Sequence, residues 1–367
     1  MTLTADQDDT LGGSGDVPPD DLDHGRRTRR TLLWVGGLTV LLLVSIPVAI
    51  GLGPVSITPD IVARIIGGHV LGTPEATWDA SEDSIVWLVR TPRVLLAAAV
   101  GAALAISGAA LQALVRNVLA EPYLLGVTYG ASTGAALTIL FGVGASIGAS
   151  SLTGSAFVGA MVATAVVFAL ATIGGKITSV RLLLAGVSVG YVLHAATSFL
   201  IFASDTPEGA RAVLFWLLGS LARAQWSGVA TAGAAMVLAL AILLLWSRKL
   251  DALTLGDDTA HALGSPPARL RVQVLLVVAL CVGAAVAVSG GIGFVGLVVP
   301  HVARLCVGGV HRRLLPVAAL LGASFLIWAD VVARMAFVPR ELPIGIVTAV
   351  VGAPFLLFLV RRMRSAA

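Results

Sequence analysis

The chain has 367 residues, of which 57% are hydrophobic and only 12% charged, and its mean hydropathy is +0.96. Soluble domains carry about 25% charged residues, so this composition excludes an ordinary soluble protein and points to an all-α integral membrane protein. The formal net charge of +4 does not indicate nucleic-acid binding, because the arginines stand at the ends of apolar segments rather than along one face.

Residues 1–30 read as a disordered tail: the first 25 hold seven acids among Gly, Pro and Ser. Arg26, Arg27, Arg29 and Arg30 then precede the first apolar span, Leu32 to about Leu52. That span is full length and starts late, so no cleavable signal peptide is expected. Residues 54–92 form a long polar connection that contains an amphipathic piece, Pro59 to Ile66. Further spans are expected at Val94–Val115, Tyr123–Phe141, Ala156–Ile173 and Leu182–Phe202. A shorter apolar helix at Ala212–Leu221 is too short to cross. Spans at Val229–Trp246, Val272–Val288, Phe294–Val307, Leu315–Phe337 and Ile344–Val360 bring the expected total to ten, within residues 31–367.

Ten spans place both termini on the cytoplasmic side, and the cations test that count. Sixteen Lys and Arg residues fall on inner segments and six (Arg64, Arg90, Arg93, Arg211, Arg223, Arg340) on outer ones. This agrees with the positive-inside rule. Gly and Ala are frequent within the spans, for example Gly101, Ala105 and Gly108, and Gly322 and Ala323, which lets helix backbones approach closely in lipid.

Between two spans lies a polar island, residues 248–270, whose central stretch Leu250 to Gly264 reads as a short surface helix. Asp257 and Asp258 suit a helix start, Gly264 suits its end, and Pro266 and Pro267 stop it. The charge census puts this island inside the cell, as a helix for touching another protein. The two aspartates either cap the helix or make that contact.

Other signals are weaker. Gly291-Ile-Gly293-Phe-Val-Gly296 matches a dinucleotide fingerprint, but it lies in a membrane hairpin with no preceding strand and reads as a glycine-rich re-entry turn. GxxxxGK[ST] is absent, so a P-loop cannot supply ATP chemistry here. Asp330 and Arg334 are four apart on one helical face, either as a buried pair or with Arg334 as an outer docking charge. Arg90-Thr-Pro-Arg93 places two cations at the outer mouth of the second span. His194, His301 and Asp330 are too scattered for a metal site, as an intramembrane enzyme would need, and Cys281 and Cys306 make neither a disulfide framework nor ligand spacing. No relay of buried carboxylates supports a secondary transporter, which is kept as the alternative class.

Val100-Gly-Ala-Ala-Leu-Ala-Ile-Ser-Gly108 through Gln112, Asn117-Val-Leu-Ala-Glu-Pro122 and Leu124-Leu-Gly126 resemble the FecCD family. So do Arg181–Gly186, Gly293–His301, His311–Pro316 and Glu341–Gly345 through Pro354. These are the permease subunits of bacterial ABC importers for ferric siderophores, haem and vitamin B12, and the likeness covers nearly everything after residue 85. The resemblance implies a type II ABC importer permease architecture in the cytoplasmic membrane, working as a homodimer. Two separate ATPase subunits would bind below and use ATP and Mg, with no cofactor bound by this chain, and a substrate-binding protein would dock above. It implies docking arginines at Arg90, Arg93 and Arg334. It places the cytoplasmic gate at Thr178, Ser179 and Val180, with Val180 at a position that is polar in some relatives. It makes 248–270 the ATPase coupling segment, with Leu250, Leu253, Leu255, Gly256, Asp257, Asp258, Ala260, His261, Leu263 and Gly264 as its residues. An iron–siderophore complex is the expected cargo, with vitamin B12 or haem as alternatives.

Overall fold

The computed structural model describes residues 24–72, 78–173 and 178–364. Positions 1–23 of the expected tail, and Gly175 and Lys176, lie outside the described residues. The basic run from Arg26 to Arg30 is already helical, because the first helix, α1, runs His24–Gly51 and absorbs it.

Helix α2, Pro59–Leu71, is the expected amphipathic piece. Proline opens it, Val62 and Ile65 are buried, and Gly72 ends it at φ 70°, a conformation only glycine adopts without strain. Helix α3, Ala80–Asp83, is a single turn closed by a capping box between Asp79 and Glu82. It runs through a π-helical stretch, Ser84–Arg90, into α4, Thr91–Val115. The His69 ring stacks on Trp87 at 4.2 Å and bonds Asp83 at 3.0 Å, which ties α2 to this extended helix.

Helix α4 is the centre of the bundle, with nearly its whole length buried. It can be enclosed because its packing face is glycine and alanine. A Cβ at Gly101 would overlap the Gly322 carbonyl, and one at Gly108 would overlap the Gly296 carbonyl. Backbone meets backbone there, which in lipid is how helices gain dispersion contacts.

A 3₁₀ turn, Pro122–Leu125, and Gly126 lead into α5, Val127–Phe141, which packs on α6, Ser151–Thr172, through the facing glycines Gly130 and Gly159. Next come α7, Ser179–Phe202, and α8, Pro207–Leu217. The latter begins several residues before the expected Ala212, since Pro207 suits a helix N1 position. Helix α9 covers Trp226–Leu245.

The island between spans is not one helix. Gly256, at φ 124° and ψ 164°, divides α10, Ser247–Leu255, from α11, Asp257–Ala262. Helix α12, Pro267–Ser289, returns through the bundle to the glycine-rich stretch at 290–293. There Gly290 (φ 69°) and Phe294 (φ 68°) reverse the chain into α13, Val295–Val307. The last helices are α14, His311–Met335, and α15, Ile344–Arg364.

Among the described residues, seven helices are long and apolar enough to cross a membrane: α1, α3 continuing into α4, α6, α7, α9, α12 and α14. Three other apolar helices, at 127–141, 295–307 and 344–359, are shorter. The expected ten corresponds to these two groups together, while length alone supports seven. Large apolar side chains on α1, α6, α7, α9 and α15 are exposed, such as Val158, Phe199, Leu245 and Leu357, as a lipid-facing surface requires.

Candidate functional site

The polar side chains gather at three levels of the bundle. At the level of α10 and α11, the predicted coupling residues divide by burial. Leu250, Leu253 and Ala260 are buried and hold the segment against the bundle. Leu255 and Leu263 are about two-thirds exposed, at 71% and 65%, and Asp258, His261 and Gly264 are exposed beside them. Gly256 is the break between the two helices, and Gly264, at φ 74°, follows the end of α11 as expected.

The two aspartates part company. Asp258 faces outward, whereas Asp257 faces inward and accepts from Arg271 at 2.7 and 3.1 Å. Arg116, in left-handed conformation at the end of α4, stands 3.8 Å from the same carboxylate. Hydrogen bonds from Arg271 hold the Asp257 carboxyl below the usual carboxylate range. The pair therefore persists above that range and is lost as the pH falls through the lowered value. Asp251 on α10 accepts from the His311 amide at 2.9 Å and lies 2.6 Å from its ring Nδ1. A carboxylate is thereby fixed at the start of α14, where the helix dipole favours it.

Two of the predicted gate residues, Thr178 and Val180, are exposed, and Ser179 is partly buried. Thr178 caps α7 by accepting from the Arg181 amide at 3.3 Å. The Ser179 hydroxyl donates to the Leu114 carbonyl at 3.2 Å and receives Arg271 Nη2 at 3.3 Å. Ser179, predicted for the gate, and Asp257, predicted for the coupling segment, thus meet at Arg271.

A third set of polar contacts joins the stretch before the 3₁₀ turn and the C-terminal part of α4 to α13. The Glu121 carboxylate accepts from the Phe294 amide at the start of α13, and Arg304 donates to Gln112. Gln112 in turn donates to the Gly296 and Leu297 carbonyls, at 3.3 and 3.5 Å. A cavity of about 340 Å³ opens here, lined by Glu121, Tyr123, Leu217, Gly291, Phe294 and Gly345 among others. His194 lies edge-on to Tyr129 with ring centroids 5.9 Å apart, and His301 is 5.7 Å from Phe355. Among the described residues, no three His, Cys, Asp or Glu side chains gather as metal ligands.

At the opposite end of α4 from α10 and α11, the three predicted docking arginines form one cluster. They are buried: Arg90 is 4%, Arg93 5% and Arg334 3% exposed. Arg90 donates to the Ile50, Gly51 and Val55 carbonyls, and Arg334 to the Ala49 and Leu52 carbonyls at 3.1 Å each. Together they satisfy the last carbonyls of α1, which no helical partner can reach. Arg93 Nε lies 3.0 Å from Asp330, and its Nη1 donates to Glu341 at 2.9 Å. Arg334 Nε is 3.1 Å from the other Asp330 oxygen, but out of line for a hydrogen bond. The pairing of Asp330 with Arg334 expected from their spacing is present, with Arg93 sharing the carboxylate. A guanidinium this enclosed meets an outside carboxylate only by exchanging a partner. Glu341, with its side chain 38% exposed, is the partner open to exchange.

Residues 41–362 match the model of the FecCD transport family. The chain belongs to that family. It is 44% identical over 76% of its length to the cobalamin import system permease protein BtuC of Halobacterium salinarum, 73% of which is covered. It is 41% identical over 78% of its length to the hemin transport system permease protein HmuU of Yersinia pestis, 87% of which is covered. Among solved structures it resembles the inward-facing form of a transporter assigned to the metal-chelate ABC type, with TM-score 0.77 and 34% identity. That match covers 89% of this chain and 98% of the other.

As a FecCD chain, it holds contacts that its sequence motifs marked without explaining. Glu121 stands in the Asn117–Pro122 motif and Glu341 opens another, yet neither motif names the partner its carboxylate meets. Arg271 was counted only as an inner-flank cation. Its partners lie 14 and 92 positions away, in segments with no shared pattern.

Proposed function

We propose that this chain is the membrane-spanning permease subunit of an ATP-driven importer for metal-chelate cargo. The observation that carries this reading is the divided coupling segment. Leucines bury its inner face, while Leu255, Asp258, His261 and Leu263 present an exposed outer one. An apolar patch rimmed by charge, on two short helices outside the bilayer, suits a protein partner. The proposed partners are two ATPase subunits, which bind ATP and Mg, on the side that also holds both termini. A second copy of the chain would complete a homodimer, and a binding protein would deliver cargo from the other side. Thr178, Ser179 and Val180 serve as the inner gate.

Relatives named for cobalamin, hemin and Fe(3+)-citrate import support the metal-chelate class. A ferric siderophore, vitamin B12 and haem are therefore the three cargo readings. Titrating the cognate binding protein with each chelate separates them, since a cavity for transit has no need of tight ligands.

The coupling assignment gives a direct expectation. Leu255→Glu with Leu263→Glu should weaken ATPase binding in nanodiscs by about tenfold to a hundredfold, the loss typical of hot-spot side chains. Unchanged affinity would sink the assignment.

For docking, we propose that an acidic side chain of the binding protein reaches the Arg90, Arg93 and Arg334 cluster by displacing Glu341 from Arg93. Glu341→Gln should then speed association of the binding protein by about two- to fivefold at low salt, with the gain shrinking as salt rises. An association rate that is unchanged or slower would contradict the exchange.

A further inference from the structure

We propose that Arg271 is the positioning residue that carries movement from the coupling segment to the inner gate. This inference rests on the importer reading above. A cation that is 2% exposed in the second turn of α12 has to be held by its neighbours, and these neighbours come from two other helices, α11 and α7. The two terminal nitrogens of Arg271 grip Asp257 of α11 at 3.1 and 2.7 Å. Nη2 also donates to Ser179, the first residue of α7, at 3.3 Å. The Ser179 hydroxyl then donates to Leu114 near the end of α4 at 3.2 Å. One guanidinium joins α12 to α11 and α7, and the Ser179 hydroxyl adds α4.

The segment next to it is built to turn. Helix α10 is fixed, because Leu250 and Leu253 are buried and Asp251 is bonded to His311. Gly256 breaks the segment at φ 124°, ψ 164°, a conformation that L side chains rarely adopt. Helix α11, whose one buried residue is the small Ala260, can therefore turn about Gly256 while α10 stays in place. A push on exposed Asp258 or Leu263 then turns Asp257. The planar fork of Arg271 transmits that turn with direction, which a lysine ammonium, a point charge on a flexible stem, cannot do. At the far end the motion arrives at the N-terminus of α7, between exposed Thr178 and Val180.

The experiment uses the full complex in proteoliposomes, with ATPase and binding protein present and with ferric citrate, cyanocobalamin and hemin as probes. It compares wild type, Arg271→Lys and Ser179→Ala. Arg271→Lys keeps the charge, and Ser179→Ala removes only one hydroxyl, so a folding failure of the first leaves the second to decide. Two quantities are read: chelate delivered per ATP hydrolysed, and the labelling rate of Val180→Cys by a water-soluble maleimide, with Cys306→Ser as background. In wild type, ATP and Mg should change that labelling rate by about threefold, as a shift in gate population. In both variants the change should vanish, and chelate per ATP should fall by about fivefold, a size typical of residues along a coupling route. A wild-type ratio together with a wild-type labelling response in Ser179→Ala overturns the relay and leaves the importer reading standing. A wild-type complex that takes up none of the three probes on ATP addition overturns both.

Discussion

Gly108→Ala should cost this protein about 3 kcal/mol of stability, at the upper end for overpacked cores. The added methyl falls on the carbonyl and Cα of Gly296, which are backbone atoms of α13 with no rotamer to yield. Gly296 itself is pressed against Pro122 and the Leu104 carbonyl, so α13 cannot simply retreat. Relief would require α4 and α13 to separate along their length, and with them the Gln112 bonds to Gly296 and Leu297. Gly36→Ala is the control, because nothing lies within 4 Å of its added carbon on lipid-facing α1. That control should be neutral or stabilising by up to about 1 kcal/mol, since alanine is the better helix former. Unfolding by denaturant in mixed micelles, followed by tryptophan fluorescence, measures both. Equal stability of the two variants would contradict the backbone-on-backbone packing of α4.

Asp330→Leu should be comparably damaging, by about 3–5 kcal/mol, the usual loss when one partner of a buried ion pair is removed. Asp330 is 1% exposed and is shared between Arg93 and Arg334. Its removal leaves two guanidinia enclosed with only Glu341 as counterion. The effect should reach α1, because Arg334 also holds the Ala49 and Leu52 carbonyls. Asp330→Asn should cost less, since an amide oxygen still accepts from Arg93. Adding Arg334→Leu to Asp330→Leu should recover part of the loss by removing the stranded charge, which a double-mutant cycle reads directly. A loss below about 1 kcal/mol for Asp330→Leu would show that the cluster is solvated rather than buried.

Much of this was legible in the sequence where one physical period governed the outcome. Long apolar windows located the spans, and the Pro59–Ile66 pattern located α2. The glycines around 290–296 foretold the reversal between α12 and α13. The break at Gly256 was less visible, because a lone glycine inside a polar stretch fits a helix interior as well as a hinge. The outer arginines show the limit most clearly. Arg90 and Arg93 looked like surface charges because they flank a polar connection. They are enclosed because the end of α1 offers carbonyls and α14 offers Asp330, at separations of 39 to 237 residues. The meeting of Asp257, Arg271 and Ser179 is invisible for the same reason: each residue is ordinary in its own segment, and only tertiary packing brings the three together.

The most direct test of the account is chelate uptake by proteoliposomes that hold this chain and its ATPase subunit, with loaded binding protein outside and ATP and Mg trapped inside. Chelate should accumulate only with ATP inside, and the Leu255→Glu, Leu263→Glu pair should abolish it while the permease remains folded. Uptake that proceeds equally without ATP, or that follows an imposed proton or sodium gradient, would contradict the account and make the chain a secondary transporter.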